Sequence, residues 1–363
     1  MKKYFKSRNK RLRLPVFFPD ATRAVVKSLD FKDVEESKTP GVLVNTFHLY
    51  QQMEHKTLEK AGGIREFMGW QGGVISDSGG FQVMSLVKGK EKMGKVVDRG
   101  VVFKVPNRKR ELFTPEKSIK FQMKLKADMV VVLDDFTEPK ATEEQARESV
   151  ERTINWARRS KITFEKECER LNLSKKDKPY LLAVVQGGKY QDLRKECVER
   201  LVEIGFDGFG YGGWPVNMKG EFDMETARTI SKNAPEEYLL YGLGIGKPED
   251  IIRCARLGYD IFDCVLPTRD ARHGRLYVWK KGRKIDEKGG FYEYLNPRKG
   301  KFKADLGKID EECDCQVCQR YSRAYLHHLF KIKEMTAMRL ASVHNLRFYS
   351  RLMEELQNEK QRR

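Results

Sequence analysis

Eight short apolar runs recur along this chain, at residues 14–18, 42–46, 73–77, 128–134, 180–186, 206–211, 238–243 and 259–264, and most close on small or polar residues. Between many of them lie stretches such as 143–159 and 192–204 in which apolar residues recur at three- and four-residue intervals. A brief apolar run bounded by turn formers suits a strand buried on both faces, whereas the three–four interval lays apolar side chains along one face of a helix. Eight such strands alternating with helices over about 250 residues predict an α/β fold, a (β/α)8 barrel. An open, doubly wound sheet has the same local periodicity and stays open on this reading. The 363 residues are enough for one large barrel or two ordinary domains, and the 40% hydrophobic fraction can build a sizeable core. No apolar run reaches the length of about 18 residues that a membrane-spanning helix requires.

What stands at the ends of these runs sharpens the prediction. Asn45, Asp77, Asp134, Gln186, Gly212-Gly213 and Asp263 all lie at or just past the C-terminal end of an expected strand. In a barrel these ends converge on one mouth, where active sites are built. Ser76-Asp-Ser-Gly-Gly-Phe-Gln82 closes a strand with a carboxylate and two glycines, which is either an ordinary turn or a place where a ligand meets the backbone. Phe262-Asp-Cys-Val-Leu-Pro-Thr-Arg269 puts a carboxylate inside an apolar strand. Asp263 is then either a buried partner of Arg269 or a nucleophile at the last strand end. The charged, glycine-bearing stretch 83–115, with alternating runs at 101–105 and 111–114, reads as a hairpin on the same mouth.

Cys313-Asp-Cys315-Gln-Val-Cys318, with His344 further on, offers three thiolates and one imidazole, a complete tetrahedral set for zinc. A closed four-ligand site is structural rather than catalytic. Three of the seven cysteines clustered beside a distant histidine indicate a metal site in a reducing compartment, and the basic N-terminus lacks the apolar stretch of a secretory signal, so a cytoplasmic location is expected. The net charge of +19 is concentrated partly in basic clusters at 2–13, 280–284 and 298–303. Such clusters suit a polyanion such as nucleic acid, though they also serve as a solvated surface, and charge does not distinguish RNA from DNA.

Several segments together carry a resemblance: Asn45-Thr-Phe-His48, Ser76 to Gln82, Val185-Gln-Gly-Gly188, Phe262 to Arg269, the cysteine cluster, Tyr321-Ser-Arg-Ala-Tyr-Leu-His-His328 and His344-Asn-Leu-Arg-Phe-Tyr349. In order, over nearly the whole chain, they resemble the tRNA-guanine transglycosylases, most closely the bacterial type. The resemblance implies a (β/α)8 TIM barrel over residues 1–276 that carries the active site. An inserted zinc-binding subdomain over 277–345 and a C-terminal helix over 346–363 that completes the barrel would follow. It also implies exchange of the wobble guanine of tRNAs with a G-U-N anticodon for a 7-deazaguanine, a step of queuosine synthesis. By motif match Asp263 resembles the nucleophile and Asp77 the general acid/base, the two carboxylates of a double displacement. Ser78, Phe81, Asp134, Gln186, Gly212, Gly213 and Leu243 resemble the base-binding residues, with Phe81 and Leu243 sandwiching the ring. Thr268, Arg269 and Arg272 match residues that contact the anticodon. Cys313, Cys315, Cys318 and His344 match the ligands of one structural Zn2+ per subunit, and His327 and His328 are expected to pack. The likeness implies a homodimer and no membrane partner.

Two places depart from the bacterial pattern. After Gly212-Gly213 the family typically continues Leu-Ala-Val-Gly-Glu, whereas this chain has Trp214-Pro-Val-Asn-Met218, with Glu221 three residues later and a proline that removes a backbone donor. After Asp134 it has Asp135-Phe136 where bacterial members show Glu-Cys. The aminomethyl base, 7-aminomethyl-7-deazaguanine, is the favoured incoming base, with queuine the competitor. A transglycosylase acting on DNA and a non-catalytic RNA-binding subunit also compete for the same motifs. The non-catalytic subunit would be expected to have lost Asp77 or Asp263, and this chain keeps both.

Overall fold

The structure is a computed structural model that describes residues 4–8, 10–80, 94–103, 110–216 and 220–362. Its centre is an eight-stranded parallel sheet: β1 (Val16–Pro19), β2 (Gly41–Asn45), β3 (Gly73–Asp77), β4 (Met129–Val131), β5 (Tyr180–Val185), β6 (Gly208–Tyr211), β7 (Leu239–Gly242) and β8 (Ile261–Cys264). Neighbours follow chain order from β2 through β8, β8 pairs with β1, and an Asp20–Leu43 bridge brings β1 back to β2. The sheet therefore closes into a (β/α)8 barrel, and the open doubly wound alternative is excluded. Each of the eight expected runs overlaps one of the strands, six of them containing it whole, while Val16–Pro19 and Gly41–Asn45 each extend one residue beyond 14–18 and 42–46.

Side-chain parity explains both the core and the site. Along β5, Leu182 and Val184 point into the barrel, while Leu181, Ala183 and Val185 face the surrounding helices. This is the two-residue alternation that a closed parallel barrel imposes. Extending the inward parity by one pleat leads from Leu43 to Asn45, from Ile75 to Asp77, from Val184 to Gln186 and from Ile261 to Asp263. The lumen is thus apolar at its base and polar at its C-terminal rim. The opposite end is plugged by an antiparallel hairpin, Tyr4–Ser7 with Lys10–Arg13, whose fully buried Phe5 meets Phe18 edge-on at 5.4 Å.

The helices are specified locally. Thr142 begins the 28-residue helix Glu143–Arg170 with a capping box: its hydroxyl accepts from the Gln145 N–H, and the Gln145 side chain accepts from the Thr142 N–H. The expected helices at 143–159 and 192–204 are present as Glu143–Arg170 and Gln191–Ile204. The stretch after β3 differs from the expected hairpin. Gly94–Val97, Gly100–Phe103 and Glu111–Phe113 form a three-stranded antiparallel sheet, and the rest of the insertion lies outside the described residues. The sheet packs through Phe103 and Phe113 on Phe47, just past β2, which places it beside the mouth. The long helix ties it down with a bond from Trp156 Nε1 to the Asp98 carbonyl at 2.7 Å.

Beyond β8, a helix Leu266–Arg272 leads to the hairpin Leu276–Trp279 and Tyr292–Leu295, then to short helices and the 28-residue helix Met335–Arg362. That last helix bonds back to the barrel along its length: Arg339 to Asp33 at 2.7 and 2.8 Å, Ser350 to the Ser37 carbonyl at 2.7 Å, and Gln357 to the Arg13 and Pro15 carbonyls at 2.9 and 2.8 Å.

Candidate active site

Three carboxylates meet at the mouth. Asp77, the last residue of β3, accepts from Asn45 Nδ2 at 3.0 Å and from the Gly79 N–H at 3.2 Å. Dehydration by the surrounding protein raises its pKa to about 7, the charge of Asp134 adds to the rise, and its hydrogen bonds oppose it. Asp263, 7% exposed, receives the Tyr241 hydroxyl at 2.8 Å and the Gly244 N–H at 3.0 Å, both on Oδ1. Burial raises it as well to about 7, and the charges of Asp77 and Asp20 push the same way. Among the described residues no ion pair joins Asp263 to Arg269, so the buried-pair reading of this motif falls away. Asp263 thus stands in an apolar strand with neutral donors, Tyr241 and Gly244, on its carboxylate.

Asp134, the third carboxylate, lies just past β4. It accepts from Gln186 Nε2 at 2.6 Å, and the Gln186 Oε1 in turn accepts the Thr137 N–H at 3.1 Å. The Thr137 bond sets the amide so that its NH2 end faces Asp134 and the mouth. Burial raises Asp134 to about 6, with the Gln186 bond and a bond from Ser78 working against it. Gly80 is required here, because a Cβ would stand 2.4 Å from Asp134 Oδ1. The next residue, Asp135, turns the other way and pairs with Arg152 on the long helix, and Phe136 is half-buried beside it. Gly212 and Gly213 follow β6 next to Gln186, and Leu243 caps the apolar lumen above β7. Phe81 lies outside the described residues, as do Asn217 and Met218.

Thr268, Arg269 and Arg272 occupy the helix Leu266–Arg272 that leaves β8, with Thr268 buried, Arg269 exposed and Arg272 half-buried. The structure therefore gathers Asp77, Ser78, Asp134, Gln186, Gly212, Gly213, Leu243 and Asp263 at one mouth, with the two arginines on the adjoining helix. Sequence reasoning missed Tyr241, Gly244 and Thr137, which bond the carboxylates and the amide. Tyr241 carried a usable signal, since it shares the inward parity of Leu239 on β7.

The second cluster lies on the C-terminal segment. The ligand atoms of Cys313, Cys315, Cys318 and His344 all fall within 4.8 Å of one another, and all four residues are buried. His344 Nδ1 is 3.3 Å from Cys318 Sγ, while its Nε2–H donates to the Tyr277 carbonyl at 2.8 Å. That outer bond fixes the tautomer and leaves the Nδ1 lone pair facing the three sulfurs, as a metal ligand needs. The chain's donors fit a tetrahedral thiophilic ion. Neighbouring Asn345 donates to the Pro267 and Arg275 carbonyls at 2.9 and 3.0 Å, so the cluster is joined directly to the helix that follows β8. His327 is buried and bonded to the Pro297 carbonyl at 2.7 Å, but His328 is exposed and does not pack.

A profile described as queuine tRNA-ribosyltransferase matches residues 4–360. The chain belongs to this enzyme family. Relatives bearing that name are 39% identical in Thermoanaerobacter pseudethanolicus, over 94% of this chain and 85% of the relative. In a Psychrobacter species the identity is 38%, over 96% and 86%, and in Blochmanniella floridana 40%, over 94% and 85%. The likeness thus spans both the barrel mouth and the cysteine cluster. No helix among the described residues is long and apolar enough to cross a membrane.

Proposed function

We propose that the protein is a tRNA-guanine transglycosylase that exchanges the wobble guanine of G-U-N anticodons for a 7-deazaguanine, with 7-aminomethyl-7-deazaguanine the favoured base. The observation that carries this reading is the pair Asp77 and Asp263 at one mouth, each raised to about 7, beside the Asp134–Gln186 pair. Both hydrogen bonds to Asp263 fall on Oδ1, so attack is assigned to Oδ2. As Oδ2 bonds to C1′ of the ribose, the C1′–N9 bond breaks, its electron pair leaves on guanine N9, and the departing guanine takes the proton held by Asp77, which is left as the carboxylate. The incoming base then gives its N9 proton to Asp77, N9 attacks C1′, and the ester pair returns to Asp263. Two inversions retain the sugar configuration. A pKa near 7 suits a group that must both release and take a proton.

Recognition follows from the same side chains. Asp134 accepts from the ring N1–H and the exocyclic amine, and the NH2 of Gln186 and the Gly213 N–H donate to O6. Adenine offers neither pattern and would leave these buried groups unpaired, which is worth up to roughly 10⁴-fold discrimination. Phe81 and Leu243 are assigned to the ring faces. Thr268, Arg269 and Arg272 are assigned to the flanking anticodon nucleotides, reached once the target base is turned out of its loop. One Zn2+ held by Cys313, Cys315, Cys318 and His344 would cross-link the 277–345 subdomain and take no part in the exchange. A homodimer in the cytoplasm completes the proposal.

Queuine is the second reading for the incoming base, supported by Trp214-Pro215 after Gly213, where Trp214 is 45% exposed and Pro215 has no N–H to offer. The test is transfer of labelled guanine into a G-U-N tRNA, followed by competition between the aminomethyl base and queuine. Asp263→Asn should bind tRNA yet trap no covalent adduct, and exchange by that variant at the wild-type rate would remove the nucleophile assignment.

A further inference from the structure

Arg194 is 2% exposed and lies on the helix Gln191–Ile204 that follows β5. A guanidinium this deep ordinarily pairs with a carboxylate, because an unpaired buried charge is costly. Arg194 instead directs its hydrogen bonds to three backbone carbonyls. Nε donates to Gly188 O at 2.9 Å, and Nη1 donates to Val185 O and to Gly212 O, the latter at 2.8 Å. Its Cζ stands 5.6 Å from the centre of the Tyr211 ring. Val185 ends β5 and Gly212 directly follows β6, and the Gly212 N–H itself donates to Val185 O at 3.1 Å. One cation thus ties together two adjacent strand ends on the side of the mouth that holds Gln186 and Gly213.

The chain is cut to admit it. A Cβ on Gly187 would stand 2.8 Å from the Arg194 backbone nitrogen. One on Gly212 would stand 2.4 Å from Val185 O and 2.7 Å from Gln186 Nε2. Gly213 has φ +86°, and its Cβ position lies 3.3 Å from Arg194 Nη2. Strand ends, amide and guanidinium approach each other only because these residues lack side chains.

The Gly212 carbonyl and the Gly213 N–H are two ends of one peptide unit. A cation bonded to the carbonyl draws electron density along the amide and makes the N–H a stronger donor. We infer that Arg194 is a positioning residue for base recognition: it clamps the Gly212–Gly213 peptide against the end of β5 and strengthens the Gly213 N–H as the donor to O6 of the bound guanine or 7-deazaguanine. This rests on the proposed base-exchange reading, and specifically on the contact of Gly213 with O6. Arg194 acts through the peptide and does not touch the base.

The test uses the full-length protein with Arg194→Lys and the more severe Arg194→Gln. Binding of guanine and of 2-aminopurine, which lacks O6, is measured by titration, alongside KM for guanine and kcat for its transfer into tRNA. Lysine keeps the charge but, as a point donor, cannot span three carbonyls. In Arg194→Lys, Kd and KM for guanine should rise about tenfold, the effect of weakening one charge-assisted contact, while kcat and the affinity for 2-aminopurine stay within about threefold. An unchanged guanine affinity in folded Arg194→Lys, or equal losses for both bases, overturns the inference. Should both variants fail to fold, the Arg194 Nε–H signal of the wild-type protein serves instead. It should shift on adding guanine and stay in place with 2-aminopurine, and a signal that guanine leaves unmoved overturns the inference. A wild-type protein that does not prefer guanine to 2-aminopurine defeats the base-exchange reading itself, whatever the variants do.

Discussion

Replacing Tyr241 by phenylalanine removes one hydroxyl from the site and tests the state of Asp263. Tyr241 is fully buried, and its OH donates to Asp263 Oδ1 at 2.8 Å; the remaining donor is the Gly244 N–H at 3.0 Å. Burial and the nearby charge of Asp263 push the tyrosine pKa far up, so the hydroxyl stays protonated and always donates. A hydrogen bond to a charged group is worth about 1.5–3 kcal/mol, and each pKa unit corresponds to about 1.4 kcal/mol. Losing a bond that favours the anion therefore moves the Asp263 midpoint from about 7 upward by about 1 to 2 pH units. At pH 7 the ionised fraction falls about 5- to 50-fold. The assay is single-turnover release of guanine from a G-U-N tRNA between pH 6 and 9.5, with covalent adduct followed on denaturing gels. In Tyr241→Phe the acid limb should shift to higher pH, and the rate should approach wild type at the alkaline end. A loss of rate independent of pH, or a limb displaced toward acid, would refute the reasoning.

Three further outcomes follow from the same geometry. The Asp77 carboxyl titrates at about 7 in the fold against an ordinary 3.8, so the folded state holds an extra proton between those values and its stability declines as pH rises through that window. Asp77→Asn should leave the melting temperature nearly unchanged at pH 4 and raise stability by roughly 1–4 kcal/mol at pH 8 while abolishing exchange, as read by thermal melts at both pH values. Gly80→Ala forces a methyl to within 2.4 Å of Asp134 Oδ1 and should raise KM for guanine about tenfold or more with the fold intact; an unaltered KM in steady-state kinetics would count against Asp134 as a base contact. Stripping the metal with a chelator should lower the melting temperature by several degrees and weaken tRNA retention on filters, because Asn345 links the cysteine cluster to the helix bearing Arg269 and Arg272. Free guanine should still bind.

Much of this site is legible in the chain before any folding is considered, and the reasons are local. The strands are visible because residues buried on both faces must be apolar, and the sites because Asp77, Gln186 and Asp263 interrupt those runs at their ends. The cysteine cluster is legible from spacing, since three ligands lie within six residues, 313–318. The three-stranded insertion reads as a hairpin instead, because its strand Gly94–Val97 is only four residues long, Gly-Lys-Val-Val, too short and too exposed to show a buried-strand run. Sequence alone groups His328 with His327, although adjacent positions on a helix point in different directions and only one of them can pack here.

The sequence by itself determined the strand–helix alternation, the placing of the carboxylates at strand ends and the ligand set for a metal, since each depends on residue type at short covalent spacing. Tertiary structure alone decided which neutral groups serve those carboxylates. Tyr241 reaches Asp263 across 22 residues, Gln186 reaches Asp134 across 52, and Arg194 reaches Gly212 across 18. Those partnerships exist because barrel closure sets neighbouring strand ends side by side, and no local pattern records which end will meet which. The raised pKa values have the same origin. A carboxyl in an extended chain is solvated wherever it lies, and only the closed mouth removes its water.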